Sequence, residues 1–355
     1  MNTKNIIVSS IYFFHFQGKI TNIKEYGNGH INKTFLVETT EGRYIYQIIN
    51  SYAFGDVEML MKNINIVTKH LAKNGQETLE VVKTFDGANY YSDKQYYYRM
   101  YTFVENTVCY EEITDLKLVR KAGEAFGDLH VKLEGVNPNS IFEIIKDFHN
   151  TPVRYNNLMK AAKENNFGRL KKCKPEFEYL KNQKEGISLI VRGMKDKSVP
   201  MRITHNDPKI NNVLFDKDTG VVKCVIDLDT IMPGSCLYDF GDALRSLFTG
   251  DNEDSEDLNK LVVNKEVYKT YLEGYATRMK DALTPREKEL LPMSIYIIAV
   301  ELACRFLEDY LKGDPYFHVS KKDHNLLRAR TQIQLAKNVM ENMDELKKIT
   351  REIVG

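Results

Sequence analysis

Two short stretches hold the residues that could do chemistry. The first reads His205-Asn206-Asp207-Pro208-Lys209-Ile210-Asn211-Asn212, and the second, after a hairpin-like interval, reads Val225-Ile226-Asp227-Leu228-Asp229. A histidine is thus followed by a carboxylate two residues on, a lysine at four and an amide at seven, and Asp227 ends an apolar strand twenty residues beyond Asp207. This set suits phosphoryl transfer from a nucleotide, where positioning and charge neutralisation do most of the work. Asp207 would accept the proton of an attacking hydroxyl, while Asn212 and Asp227 would supply oxygen ligands to a magnesium ion on the phosphates. His205 would brace the loop, and Lys209 would reach the transferred phosphoryl group. The competing reading is a turn at Asn206-Asp207-Pro208 with Asp227 capping a strand end; the spacing and the strand-loop-hairpin-strand setting favour the catalytic one. The triplet Asp239-Phe240-Gly241 lies too far along to supply the metal ligand. Asp239 is expected either to fix the loop or to cap a helix.

The elements that must position these residues come in two textures. Residues 21–26, 33–39, 44–50, 79–85 and 95–103 are rich in β-branched and aromatic side chains and are punctuated by Gly27-Asn28-Gly29, Glu41-Gly42 and Asp86-Gly87, which predicts strands joined by turns. Residues 57–74 carry apolar positions at helical spacing and end at Asn74-Gly75. Three strands, a helix and two more strands with short turns predict an antiparallel sheet. Beyond residue 105 the periodicity is helical over 115–133, 266–279, 286–310 and 323–354, with mixed helix over 154–194 and a strand-like island at 201–229. The expected fold class is α+β: a nucleotide-binding lobe over residues 1–105 and a mostly helical catalytic and substrate-binding lobe over 106–355.

Composition excludes several other classes. Fifty Lys plus Arg against forty-nine Asp plus Glu leave a net charge of +1, which argues against a nucleic-acid surface. Five cysteines, an odd number with no C-x-x-C pair, give no support to a disulfide framework or zinc site and suit a reducing compartment. No apolar run approaches the roughly 18–20 residues of a membrane span, and the first sixteen residues lack the pattern of a signal peptide. A cytoplasmic protein with no membrane partner is expected. Residues 251–257 read as an acidic, solvated linker.

The run His205 to Asn212, Ile226-Asp227, and Gly234 followed by Asp239 resemble the aminoglycoside phosphotransferase and choline kinase superfamily. The whole chain is most similar to its bacterial N-acetylhexosamine 1-kinase branch, through Tyr26-Gly27-Asn28-Gly29-His30-Ile31-Asn32, Gln47-Ile48-Ile49-Asn50 and residues 204–241. The resemblance implies a protein-kinase-like two-lobe fold and an enzyme that uses ATP and Mg2+ to phosphorylate the anomeric hydroxyl of N-acetylglucosamine or N-acetylgalactosamine. It places Gly27, Asn28 and Gly29 at the phosphates, where glycines let backbone N–H groups approach closely. The backbone of Phe103 and Val104 would face adenine, and His30, Asp207 and Arg305 would face the sugar. One departure stands out. Gln47 occupies the strand position where the superfamily has a phosphate-binding lysine, and a neutral amide brings no charge; another cation or the magnesium must compensate, unless Gln47 merely lines a strand face. Glu58 then lacks its usual partner.

Arg305 sits on a largely apolar stretch, so it is either a donor to sugar hydroxyls or the partner of Glu301 or Glu308. His130 reads as a structural histidine, and Tyr96-Tyr97-Tyr98 as packing. An aminoglycoside would want acidic surroundings that the basic tail 346–351 does not offer, and choline prefers a Trp-walled cage in a chain without Trp. Homoserine and methylthioribose stay open on charge grounds, and a nucleotide-holding pseudokinase is the alternative outside catalysis.

Overall fold

Alternating aromatic and apolar residues build the amino-terminal sheet in the computed structural model, which describes residues 9–27, 31–110, 115–250 and 254–355. Strands β1 (Ile20–Glu25), β2 (Lys33–Thr39) and β3 (Arg43–Ile49) form a meander, and β4 (Tyr91–Ser92) and β5 (Tyr97–Thr102) complete an antiparallel sheet in the order β1-β2-β3-β5-β4. In its register Phe35 lies opposite Tyr46, and Tyr46 opposite Met100. Because side chains alternate across a strand, Phe35, Val37, Tyr44, Tyr46, Tyr98 and Met100 share one face and pack with Ile11 and Phe14. The opposite face carries Gln47 and Arg99, paired across β3 and β5.

Helix α1 (Val57–Lys73) follows β3. Its N-cap Asp56 accepts the Met59 N–H, and the helix ends at Asn74, after which Gly75 takes a φ of +74° that suits glycine. Leu60, Met61, Ile64, Val67 and Leu71 are its buried stripe. Residues 79–85, expected as a regular strand, form only isolated bridges, Thr84 with Phe14 and Val81 with Tyr101. The segment changes partner along its length, so no neighbour runs beside it far enough to make a ladder.

The described residues form two units. The first takes the chain up to Val108 together with Gly135–Lys146 and Leu214–Met232. It includes β6 (Thr107–Val108), where Thr107 and Val108 pair antiparallel with Asp216 and Phe215. The second takes Cys109–Glu134, Asp147–Val213 and Pro233–Gly355. Its helices are α2 (Leu116–Leu133), α3 (Thr151–Glu164), α4 (Lys174–Lys181) and α5 (Leu189–Lys195), and its strand β7 is Arg202–Thr204. The chain then runs through β8 (Val213–Asp216), β9 (Val222–Val225) and β10 (Met232–Gly234). It continues into α6 (Cys236–Thr249), α7 (Lys265–Met279), α8 (Pro285–Leu311), α9 (His324–Glu341) and α10 (Met343–Val354). The expected single helix over 323–354 is two, parting at Asn342.

Helix α8 is the core of the second unit. Pro285 at its first position and a Thr284–Glu287 capping box start it, and Ile295, Ile297, Ala299, Val300, Ala303 and Leu307 are completely buried. Among the described residues it is the helix long and apolar enough to cross a bilayer, and 83% of its most apolar window is buried within the protein. Glycines let neighbouring helices approach: a Cβ on Gly274 of α7 would lie 2.0 Å from the Arg120 carbonyl oxygen of α2, and one on Gly241 of α6 2.6 Å from the Ser294 oxygen of α8.

Candidate active site

The loop after β7 is held from beneath by α6. Asp239, in the first turn of that helix, accepts the backbone N–H groups of His205 and Asn206, each at 2.7 Å. Capping falls instead to Ser235, whose Oγ accepts the Leu237 N–H, so of the two roles open to Asp239 the structure has the loop-fixing one. His130 is buried against the same carboxylate at 3.3 Å, and burial lowers its pKa despite that charge. Asn206 adopts φ +66°, a conformation asparagine tolerates, and a Cβ on Gly234 would collide with Thr204 Oγ1 at 2.5 Å. Sequence reasoning left Asp239 ambiguous because its partners are backbone groups more than thirty residues away.

On this support His205 is fully buried and its Nδ1 accepts the Asp207 N–H at 3.3 Å. The Asp207 carboxylate is part exposed and pairs with Lys209 at 3.1 Å. Asp207 is the main reason the Lys209 ammonium is held above its ordinary pKa, with burial opposing. Asn212 is buried and its Nδ2 donates to the Asp207 carbonyl at 2.8 Å. That bond fixes the amide orientation and leaves Oδ1 as the acceptor end, which suits a hard cation.

A second cluster lies behind this loop in the same unit. His149 places Nε2 3.3 Å from the Asn206 carbonyl oxygen and Nδ1 2.8 Å from Glu301, and stacks on Tyr238. Burial pulls the His149 pKa down, but the charge and hydrogen bond of Glu301 outweigh it and the pKa ends raised. Thr151 donates to the other Glu301 oxygen at 2.6 Å. Arg305 therefore pairs with neither of the carboxylates considered for it, since Glu308 is bound to Lys312. Its guanidinium lies over the rings of Phe148 and Phe317, at 5.3 and 5.5 Å. Glu301 could have been singled out from the sequence as a carboxylate on an apolar helix; its histidine partner could not.

Within the first unit, Asp227 is exposed, in the left-handed conformation at φ +58°. Two residues on, Asp229 is buried and forms an ion pair with Arg99, itself 1% exposed. Gln47 is engaged at both ends of its amide: Nε2 donates to Thr34 Oγ1 at 2.9 Å, and Oε1 accepts from Arg99 Nε at 2.8 Å. Glu58 pairs with Lys62 on the surface of α1. Gly27 has φ +73°, while Asn28, Gly29 and His30 lie outside the described residues, as do residues 251–253 of the acidic linker. Asp254 of that linker is bound to Arg328 and His324. The Phe103 N–H donates to the Arg43 carbonyl, and the Val104 carbonyl accepts from Thr107. Arg99 was legible only as one charge in an aromatic strand; its partner 130 residues away was not.

Residues 22–283 match the profile of the APH phosphotransferase enzyme family. The chain belongs to that family. Among solved structures, the phosphotransferase is similar to a microcompartment-associated aminopropanol kinase, with a TM-score of 0.67 at 16% identity over 97% of this chain and 98% of the other. It is also similar to the choline kinase of Cryptosporidium parvum Iowa II (TM-score 0.59, 12% identity, 94% and 93% covered). An ADP-bound aminoglycoside phosphotransferase gives 0.53 at 14% identity over 96% and 99%. These likenesses are of fold: a kinase-like α+β arrangement of antiparallel amino-terminal sheet and helical carboxy-terminal region. By its family the chain is a phosphotransferase enzyme.

Proposed function

We propose that the enzyme transfers the γ-phosphoryl group of ATP, with Mg2+, to the anomeric hydroxyl of an N-acetylhexosamine. Asp207 takes the hydroxyl proton as the sugar oxygen bonds to the γ-phosphorus and the bond to the β–γ bridging oxygen breaks, releasing ADP. His205 holds the Asp207 backbone, and Lys209 stays charged beside the incoming phosphoryl group. Asn212 Oδ1 and the Asp227 carboxylate are each of the oxygen type that magnesium takes as ligands, and bound magnesium would neutralise phosphate charge. The glycine turn with Asn28 and Gly29, Gln47, and the Phe103-Val104 backbone serve the nucleotide; His30 and Arg305 serve the sugar.

The observation that carries the acceptor reading is the charge of the wall behind the Asp207 loop. Arg305 lies between two rings, Arg154 is near enough for the two charges to oppose each other, and His149 has a raised pKa. The carboxylates around them are already engaged: Glu301 by His149 and Thr151, Glu308 by Lys312, and Asp242 by Arg245. A cationic amino alcohol or aminoglycoside meets repulsion there, whereas a neutral sugar finds guanidinium donors and an aromatic face.

The test is phosphate transfer from ATP to a panel of N-acetylglucosamine, N-acetylgalactosamine, homoserine, methylthioribose, choline and kanamycin, read by phosphorus NMR. A sugar 1-phosphate is expected. Turnover confined to choline or kanamycin would overturn the acceptor reading, and no turnover with any acceptor would count against catalysis.

A further inference from the structure

Arg99 is the most deeply committed cation of the first unit. Its Nη2 donates to Asp229 Oδ2 at 2.8 Å, its Nη1 to Asp229 Oδ1, and its Nε to Gln47 Oε1 at 2.8 Å. This uses the planar fork of the guanidinium in two directions, which a lysine at the same place could not do. The Asp229 carboxylate has another partner. Asn32 Nδ2 donates to it at 2.6 Å, and Asn32 Oδ1 accepts the Asn50 N–H at the end of β3. Buried Asn63 of α1 in turn donates to the Ile231 carbonyl at 3.1 Å and to the Phe142 carbonyl at 2.8 Å. The segment 227–231 is therefore gripped at Asp229 from β5 and at Ile231 from α1. Asn32 extends the same grip to the residues that follow the glycine turn.

We propose that Arg99 is a positioning residue for phosphoryl transfer. Through the shared Asp229 carboxylate it sets the metal-binding Asp227 and the chain leaving the glycine turn in one fixed relation, supplying the cation that the neutral Gln47 does not. The geometry distinguishes this role from direct phosphate binding, because the guanidinium is buried and its fork is turned to Asp229 and Gln47 inside the fold. The proposal rests on the nucleotide-kinase reading above and deepens it. Asp227 holds a left-handed backbone at φ +58°, and the anchored Asp229 lies two residues on.

The experiment compares wild type, Arg99→Met, Arg99→Lys and Asn32→Ser in two binding measurements, each well below the variant's melting temperature. One is Mn2+ binding in the presence of ADP by electron paramagnetic resonance, and the other is binding of a fluorescent ADP analogue in EDTA. Arg99→Met is expected to weaken Mn2+ binding by roughly 10–100-fold, as is usual for groups that orient a metal ligand, while changing metal-independent nucleotide binding by much less. Arg99→Lys should recover part of the loss. Asn32→Ser, which keeps the ion pair, should weaken nucleotide binding in EDTA more than Mn2+ binding. It remains available if Arg99→Met does not fold. A folded Arg99→Met with wild-type constants in both measurements, or Asn32→Ser with both unchanged, would overturn the proposal while leaving the kinase reading intact. If wild type itself binds neither ADP nor Mn2+, the kinase reading falls, and the proposal falls with it.

Discussion

Asp207 acts when a hydroxyl proton moves, so its carboxylate matters to the transition state far more than to the bound nucleotide. Asp207→Ala should lower kcat by roughly 10²–10⁴-fold with nucleotide affinity nearly unchanged, measured by a coupled turnover assay beside direct ATP binding. His149 offers a test independent of catalysis. Glu301 raises its native pKa above the ordinary 6.5. Its contribution to stability is therefore complete below about pH 6.5 and is lost as pH rises through the raised native value. In urea unfolding, the stability gap between wild type and His149→Gln should be largest in acid and shrink toward alkaline pH. A gap that widens with pH would show that Glu301 does not hold the imidazolium. At this scale the sequence marked Asp207, Asn212 and Asp227 by type and spacing. The roles of Asp239, His149 and Arg99 depend on partners distant in the chain, which spacing cannot reveal.

Helices α2 and α7 approach through glycine, and α6 meets α8 the same way. These contacts matter to the site because α6 carries Asp239, which holds the backbone ahead of Asp207. A methyl group on Gly274 must push against the rigid Arg120 carbonyl. Gly274→Ala should therefore destabilise by about 1–3 kcal/mol, read as a lower urea midpoint with an unchanged slope. Gain of stability from the better helix propensity of alanine would show that the helices can part without cost. The periodicity of residues 115–133 and 266–279 made both helices legible, with boundaries close to those observed. Their spacing was not, because a glycine in a helical pattern reads only as a weak point until its neighbour is known. Residues 79–85 show the opposite failure: good strand composition cannot make a strand where no continuous partner lies alongside.

For the molecule as a whole, a ligand that binds the folded state and not the unfolded one stabilises it by mass action. ATP with Mg2+ at 100 times its dissociation constant should add about 2.7 kcal/mol, seen as a raised melting temperature. EDTA should reduce that gain if Asn212 and Asp227 hold the metal, whereas choline alone should produce none. A melting temperature indifferent to nucleotide would contradict the proposed function. The near-neutral net charge of +1 gives no general attraction for anions, so such stabilisation would have to come from a built site.

The sequence alone determined the family, the order of sheet and helices, and the residue types able to transfer a phosphoryl group, because these follow from local periodicity and from a motif contained within about forty residues. It also showed that Gln47 lacks the charge expected at its position. Only the tertiary structure decided what stands in its place. Strand pairing sets Arg99 opposite Gln47, and burial makes an unpaired charge there too costly, so Arg99 and Asp229 neutralise each other across 130 residues of chain.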